Sequence, residues 1–253
     1  MNQLREVERQ GDHIKKAARR DAGRLRIGTR DIEGLAWVGQ QGALRLDQLA
    51  QLFTHLDGRA VSADAARKTI ARWTQHGLAE TRVIFQGEPP YVWLTASGLR
   101  MADLPYPAGE PAIATLHHNR DVTDIRLSLL TGAPHSTWRC ERNMRAALAS
   151  RKRGQTVPHL PDAEVRLADG RLVAIERERT AKTIERTRNI HMGLLTRRHD
   201  FDADADSATT LLKPRYDLVC YYAADEAIPI VEAARQQLPP ELAKRLQVIR
   251  WPA

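Results

Sequence analysis

Apolar positions along the chain recur first with helical spacing, then with strand spacing, then in a mixed pattern. In Asp31–Gln40, Ile32, Leu35, Ala36 and Val38 predict a helix that Gly42 stops. In Leu46–Phe53, apolar residues at 46, 49, 50, 52 and 53 predict a second. A third is expected over Ser62–His76, with Ser62 as N-cap and Gly77 as the C-terminal stop. Its apolar face reads as Ala66, Ile70, Trp73 and Thr74. Two short apolar runs, Thr81–Phe85 and Tyr91–Leu94, flank the turn-rich Gln86-Gly87-Glu88-Pro89-Pro90 and predict a β-hairpin. Thr95 or Ser97 then caps one more helix.

Leu104 to Pro111 carries three prolines and a glycine, so regular structure breaks there. This divides the chain into an N-terminal arm (1–29), a helical domain (30–104), a Pro-rich linker (105–111) and a second domain (112–253). The second domain reads as mixed α/β. Helices are expected over Ala112–Leu130, Lys182–Arg198 and Glu226–Gln237, and strands over Thr137–Glu141, Asp217–Tyr222 and Gln247–Trp251. A hairpin is expected over Ala163–Glu178. No internal repeat is seen. Asp202–Asp206 lacks the glycine and distal glutamate of a calcium loop and reads as a solvated loop.

Composition narrows the function classes. The 253 residues are 42% hydrophobic and 28% charged, which excludes a disordered, collagen-like or disulfide-stapled chain. Mean hydropathy is −0.47 and no apolar run reaches the ~18–20 residues of a membrane span. The first residues lack the apolar core of a signal peptide, so a cytoplasmic protein without membrane partners is expected. Cys140 and Cys220 stand far apart and outside any CxxC, which predicts two buried thiols. The net charge of +8 points to a polyanion, most often nucleic acid, although many basic enzymes bind none. Residues 1–30 hold nine Lys/Arg against four acids, either a solvated leader or an arm lying on DNA phosphates.

Helix, helix, helix, hairpin is the order of a winged helix. The third helix carries Asp64, Arg67, Lys68, Ala71, Arg72 and Gln75 on the face opposite its apolar one. Arginine can bond guanine through two donors and glutamine can do the same with adenine, while lysine holds phosphate. A solvated charged face is the plain alternative. The hairpin tip has Glu88 and no Lys or Arg, so little phosphate affinity is expected from it.

In the second domain, a three-residue loop Ala168-Asp169-Gly170 pairs Val165 with Val173 and Ala163 with Ile175. That register gives one apolar face. It sets Asp162 opposite Glu176 on the other face, which Glu178 shares. Three converging carboxylates need protons, cations or a metal such as Mg²⁺ or Mn²⁺. Alternatively, Arg177, Arg179 and Lys182 neutralise them in a salt-bridge network. His117 and Asp121, one helical turn apart, can bond each other or a metal. Arg139, Arg142, Arg145, Arg151, Lys152 and Arg153 against Glu141 alone read as a basic loop beside the acids, fit for a nucleic-acid backbone or plain solvation.

These motifs carry a resemblance. Pro161-Asp162, Glu176 and, where lysine is expected, Glu178 look like the PD-(D/E)xK nuclease-like fold. Tyr91 to Leu99, with its Leu-Thr-x-x-Gly step, resembles the end of bacterial winged-helix regulators. The order of pieces is similar to the replication-relaxation family of plasmids, phages and integrative elements. The pieces include Leu116-His117-His118-Asn119-Arg120-Asp121-Val122, Trp138-Arg139-Cys140-Glu141, Leu160-Pro161-Asp162 and Ile175-Glu176-Arg177-Glu178. The resemblance covers most of residues 30–225 and rests on the order of short motifs. It implies a two-domain α+β / α/β protein, a winged helix-turn-helix followed by a PD-(D/E)xK restriction-endonuclease-like domain. It also implies Asp162 and Glu176 as metal ligands, Glu141 or Asp121 as an outer ligand, and Lys182 as stand-in for the missing catalytic lysine. Glu178 cannot supply that positive charge.

Three functions follow. The first is a DNA-binding protein of a mobile element, acting in transcription or replication, with a degenerate nuclease-like domain for assembly or DNA contact. It uses Arg67, Lys68, Arg72, Gln75, Arg151, Lys152 and Arg153, and as a homodimer it can read two half-sites. The second is a Mg²⁺- or Mn²⁺-dependent endonuclease using Asp162, Glu176, Glu178 and Lys182. The third is an adaptor for other replication or transfer proteins.

Overall fold

The computed structural model describes residues 27–148, 159–197 and 214–252. They form a mixed α+β structure with two sheets, and none of their helices is long and apolar enough to cross a membrane. The arm up to residue 26, Arg151, Lys152, Arg153 and the Asp202–Asp206 stretch lie outside the described residues.

The first half begins with α1 (Thr29–Gln41), α2 (Leu46–Asp57) and α3 (Ala63–Gln75). Ser62 caps α3 by accepting from the Ala65 N–H, as its side chain predicts. A three-stranded antiparallel sheet follows in the order β1 (Leu44–Arg45), β3 (Tyr91–Leu94), β2 (Ala79–Arg82). The hairpin strand expected over Thr81–Phe85 begins two residues earlier, because the Leu78 N–H already bonds the Trp73 carbonyl and turns the chain into β2. Leu35, Leu49, Phe53, Ile70, Trp73 and Val92 build the core. On α3, Thr69 is buried and Thr74 exposed, which corrects the expected apolar face by one position.

Thr95 caps α4 (Ala96–Met101) through the Gly98 N–H. A Cβ on Gly98 would stand 1.9 Å from the Leu78 carbonyl oxygen. That close approach is the physical reason for glycine in the Leu-Thr-x-x-Gly step. The Pro-rich stretch is no free spacer: Tyr106 is buried, and Arg142 donates to the carbonyls of Gly39 and Pro107.

The second half has a five-stranded sheet in the order β4 (Thr137–Cys140), β5 (Ala163–Arg166), β6 (Leu172–Glu178), β7 (Leu218–Ala223), β8 (Leu246–Arg250). The β4–β5 and β5–β6 pairs are antiparallel, and β6–β7 and β7–β8 are parallel. The β5–β6 register is the expected one, Ala163 with Ile175 and Val165 with Val173, with Gly170 at φ +88° closing the loop. One face of the sheet packs on Ile125 of α5 (Ile113–Gly132). The other packs α7 (Ile184–Leu195) and α8 (Ile228–Gln236) through Leu194, Leu195, Val231 and Tyr221. Part of the expected basic loop is instead a helix, α6 (Glu141–Leu148), and a one-turn α9 (Pro240–Ala243) precedes β8. Helix α5 also sends Leu127 into the core of the first half, so the two halves share it.

Candidate nucleic-acid interface and acidic site

Helix α3 is held against α1 by one buried carboxylate. Asp31 accepts from the Gly28 N–H at 3.1 Å and from Trp73 Nε1 at 2.9 Å, and it pairs with Arg72. Arg72, expected among the DNA-facing residues, is thereby turned toward α1. Lys68 and Gln75 are exposed, as is Arg67, which pairs with its neighbour Asp64. With Ala71 and Thr74 they form the outer face of a helix whose roll is fixed by Trp73.

The hairpin tip does not stand free. Glu88 accepts from the Tyr91 hydroxyl at 3.0 Å, lies 3.2 Å from His117 Nε2, and is within 4 Å of Arg45 and Arg120. Phe85 stacks on the His117 ring at 4.3 Å. Arg82 pairs with Glu110 of the Pro-rich stretch. The absence of cations at the tip thus goes with docking on α5. His117 and Asp121, whose spacing allows a bond, do not meet, since His117 faces Glu88. Asp121 is buried among Arg120, Arg177 and Arg179, because Arg177 points to the α5 face of the sheet.

The acids do gather at one end of the sheet. Asp162 bonds His118 Nε2 at 2.9 Å and accepts the Arg177 N–H at 2.6 Å. Glu176 is buried and bonds His159 Nε2 at 3.0 Å. Glu178 is buried and pairs with Lys182. Of the neutralising network expected, Lys182 takes part, while Arg177 and Arg179 serve Asp121 instead. Glu141, expected as an outer ligand, pairs with Arg145. Burial, and then the charge of Asp162, push the Glu176 carboxyl up to about 7. His159 is raised by its bond to Glu176. Burial disfavours the charged His118 ring, but the Asp162 bond and charge outweigh it and raise its pKa.

Sequence reasoning missed His159, although it stands three residues before Asp162. It also missed Glu164, buried on the same face as Glu176 and bonded by Arg215 and Tyr216. The partners lie more than fifty residues apart, and no spacing links them. Tyr221, the register partner of Glu176, is buried, and its hydroxyl has no hydrogen-bond partner among the described residues. Cys140 and Cys220 are free and buried, as expected. Compared with known proteins, the chain matches no protein-family model, no curated protein and no solved structure.

Proposed function

We propose that the chain is a DNA-binding protein of a mobile genetic element, controlling transcription or replication. Residues 30–104 act as a winged helix that reads duplex DNA through α3. The nuclease-like half, 112–253, serves assembly or further DNA contact and does not cut. The observation that carries this reading is the outer face of α3. Arg67, Lys68 and Gln75 project from a helix whose orientation is locked by Trp73 and Arg72 on Asp31. Such a helix presents phosphate-binding and base-reading groups without having to order itself first. A homodimer would set two such helices on successive half-sites.

The acidic site supports the non-cutting part. Its three carboxylates are engaged by His118, His159, Lys182 and a backbone N–H. Among the described residues, no three His, Cys, Asp or Glu side chains are grouped to hold a metal ion. As arranged, these residues do not fit Mg²⁺ or Mn²⁺, and Lys182 is spent on Glu178.

A mobility-shift titration with duplex DNA in EDTA tests the reading. Binding is expected without metal and to weaken as salt rises. Lys68→Ala should lower the slope of log affinity against log salt by about 0.9. Gln75→Ala should leave the slope and relax site preference. Absence of salt-dependent binding would leave the adaptor reading. Cleavage of supercoiled plasmid in Mn²⁺, lost in Asp162→Ala, would replace the proposal with the endonuclease.

A further inference from the structure

Arginines in this fold are closely partnered when they are buried. Arg177 donates to Asp121 and to the carbonyls of Glu178, Tyr222 and Pro252. Arg215 donates to Glu164. Arg142 donates to two carbonyls. Arg126 differs. It lies on α5 at the seam between the two halves and is only 8% exposed. Its Nε and Nη1 have no hydrogen-bond partner, and no carboxylate pairs with it among the described residues. Its guanidinium stacks on the Trp37 ring of α1, 3.6 Å from the centroid, and lies 5.7 Å from that of Trp138 on β4. A cation–π stack returns only part of the cost of burying an unpaired guanidinium. Burial pulls its pKa down to about 9, and the groups that act against that shift are the Cys140 thiol and the Tyr106 hydroxyl, not a carboxylate.

Two more donors at this seam lack acceptors among the described residues. Trp138 Nε1 is buried and unpartnered. So is Nε2 of Gln41, a residue 7% exposed that stands one helical turn after Trp37. A cleft of about 420 Å³ reaches Gln41 and is also lined by Val122, Cys140, Arg142, Glu141 and Asp162, while Arg126, Trp37 and Trp138 lie behind its wall rather than on it. Val122 precedes Arg126 by one turn of α5. The three carboxylates on the cleft are already matched, Asp162 by His118, Glu141 by Arg145 and Glu110 by Arg82. Gln40 Oε1, on the same cleft, is a buried acceptor with no donor among the described residues, but the unpartnered donors outnumber it and one of them is cationic, so the unmet demand at the seam is chiefly for an acceptor with negative charge.

We infer that the seam binds a small free oxyanion of the phosphate type, held by Arg126 between Trp37 and Trp138 and reached through this cleft. The planar fork of arginine suits two oxygens of a phosphate, and indole and amide N–H groups add neutral donors. A backbone phosphate of duplex DNA has the same chemistry, but a group this enclosed by two indoles admits a small anion and not a duplex. Because Trp37 belongs to the first half and Arg126 and Trp138 to the second, the anion ties the halves together. The inference does not depend on DNA binding.

The test follows thermal unfolding and calorimetric titration of the full chain with inorganic phosphate against chloride at equal ionic strength. Wild type should bind phosphate saturably and melt higher with it. Arg126→Met should melt at or above wild type in chloride, since it removes an unpaired buried charge, and should lose the phosphate response. Arg126→Lys keeps the charge without the fork and should bind phosphate about tenfold more weakly. If Arg126→Met does not fold, the lysine variant and Trp138→Phe, which removes one donor, carry the test through their weakened phosphate binding. Equal phosphate stabilisation in wild type and variants is general salting-out and overturns the site. Displacement of phosphate by a short duplex would overturn the free-anion assignment and give the seam to the DNA backbone.

Discussion

At the scale of single residues, the acidic site is a set of protons held by burial on Glu176 and by carboxylate partners on His159 and His118. Glu176 has a folded pKa of about 7 against an ordinary 4.5. The folded chain holds that proton more tightly than the unfolded one. The stability it contributes is complete below about pH 4.5 and is lost as pH rises through 7. His159 and His118 are raised as well, so their contribution is present below 6.5 and is lost as pH climbs through their folded values. His191 has the opposite sign. It is buried, neither ring nitrogen has a hydrogen-bond partner among the described residues, and burial lowers it to about 4. Its contribution is present above 6.5 and lost as pH falls through 4. The chain should therefore lose stability between pH 6 and 8. Glu176→Gln should flatten that slope, since an amide cannot ionise and no longer raises His159. Denaturant midpoints at several pH values measure it, and an unchanged slope in the variant would show that the acid is not the titrating group.

At the scale of elements, tight packing sets what a substitution costs. Gly98→Ala would raise helix propensity in α4, a gain of about 1 kcal/mol in an open helix. Here the new methyl meets the Leu78 carbonyl, which also accepts the Thr95 N–H. The expected net effect is a loss of about 1–3 kcal/mol, read as a lowered midpoint of chemical unfolding. A neutral or stabilised variant would mean that α4 can lift away from the β2 turn. The elements that were legible in the sequence are those whose signal is local. The α3 cap, the Thr95 cap and the β5–β6 register all follow from residues within one turn or one hairpin. The two-residue β1 has too few positions for any periodicity, and it exists because β3 accepts it across more than forty residues. Helix α6 was hidden by its charge, since Arg142, Arg145 and Glu141 read as a loop until their partners on α1 and on the helix itself are known. Likewise the carboxylate cluster was legible from alternation along two strands. Its histidine partners come from α5 and from the approach to β5, and only tertiary structure brings them in.

At the scale of the whole molecule, the two sheets are joined by polar contacts from α5 and α6. Gln48 donates to the Arg120 carbonyl at 2.8 Å and to Asp124 at 2.6 Å. Arg142 bonds the Gly39 carbonyl at 2.5 Å. Glu88 gathers Tyr91, His117, Arg45 and Arg120 at the hairpin tip. With Leu127 of α5 inside the core of the first half, these contacts make a seam whose loss is felt by both halves. The halves are therefore expected to unfold in one transition, seen alike by tryptophan fluorescence and by far-ultraviolet circular dichroism. Glu88→Ala tests this. Arg45 keeps Asp47 and Arg120 keeps Asp121, so no charge is stranded. The loss is then that of the hydrogen bonds to Tyr91 and His117, about 1–2 kcal/mol. In a chain of this size that corresponds to a midpoint lower by roughly 2–8 °C. If the seam couples the halves, the whole transition moves and both probes stay coincident. Two separated transitions in the variant would show that each sheet stands on its own core and that α5 merely lies between them.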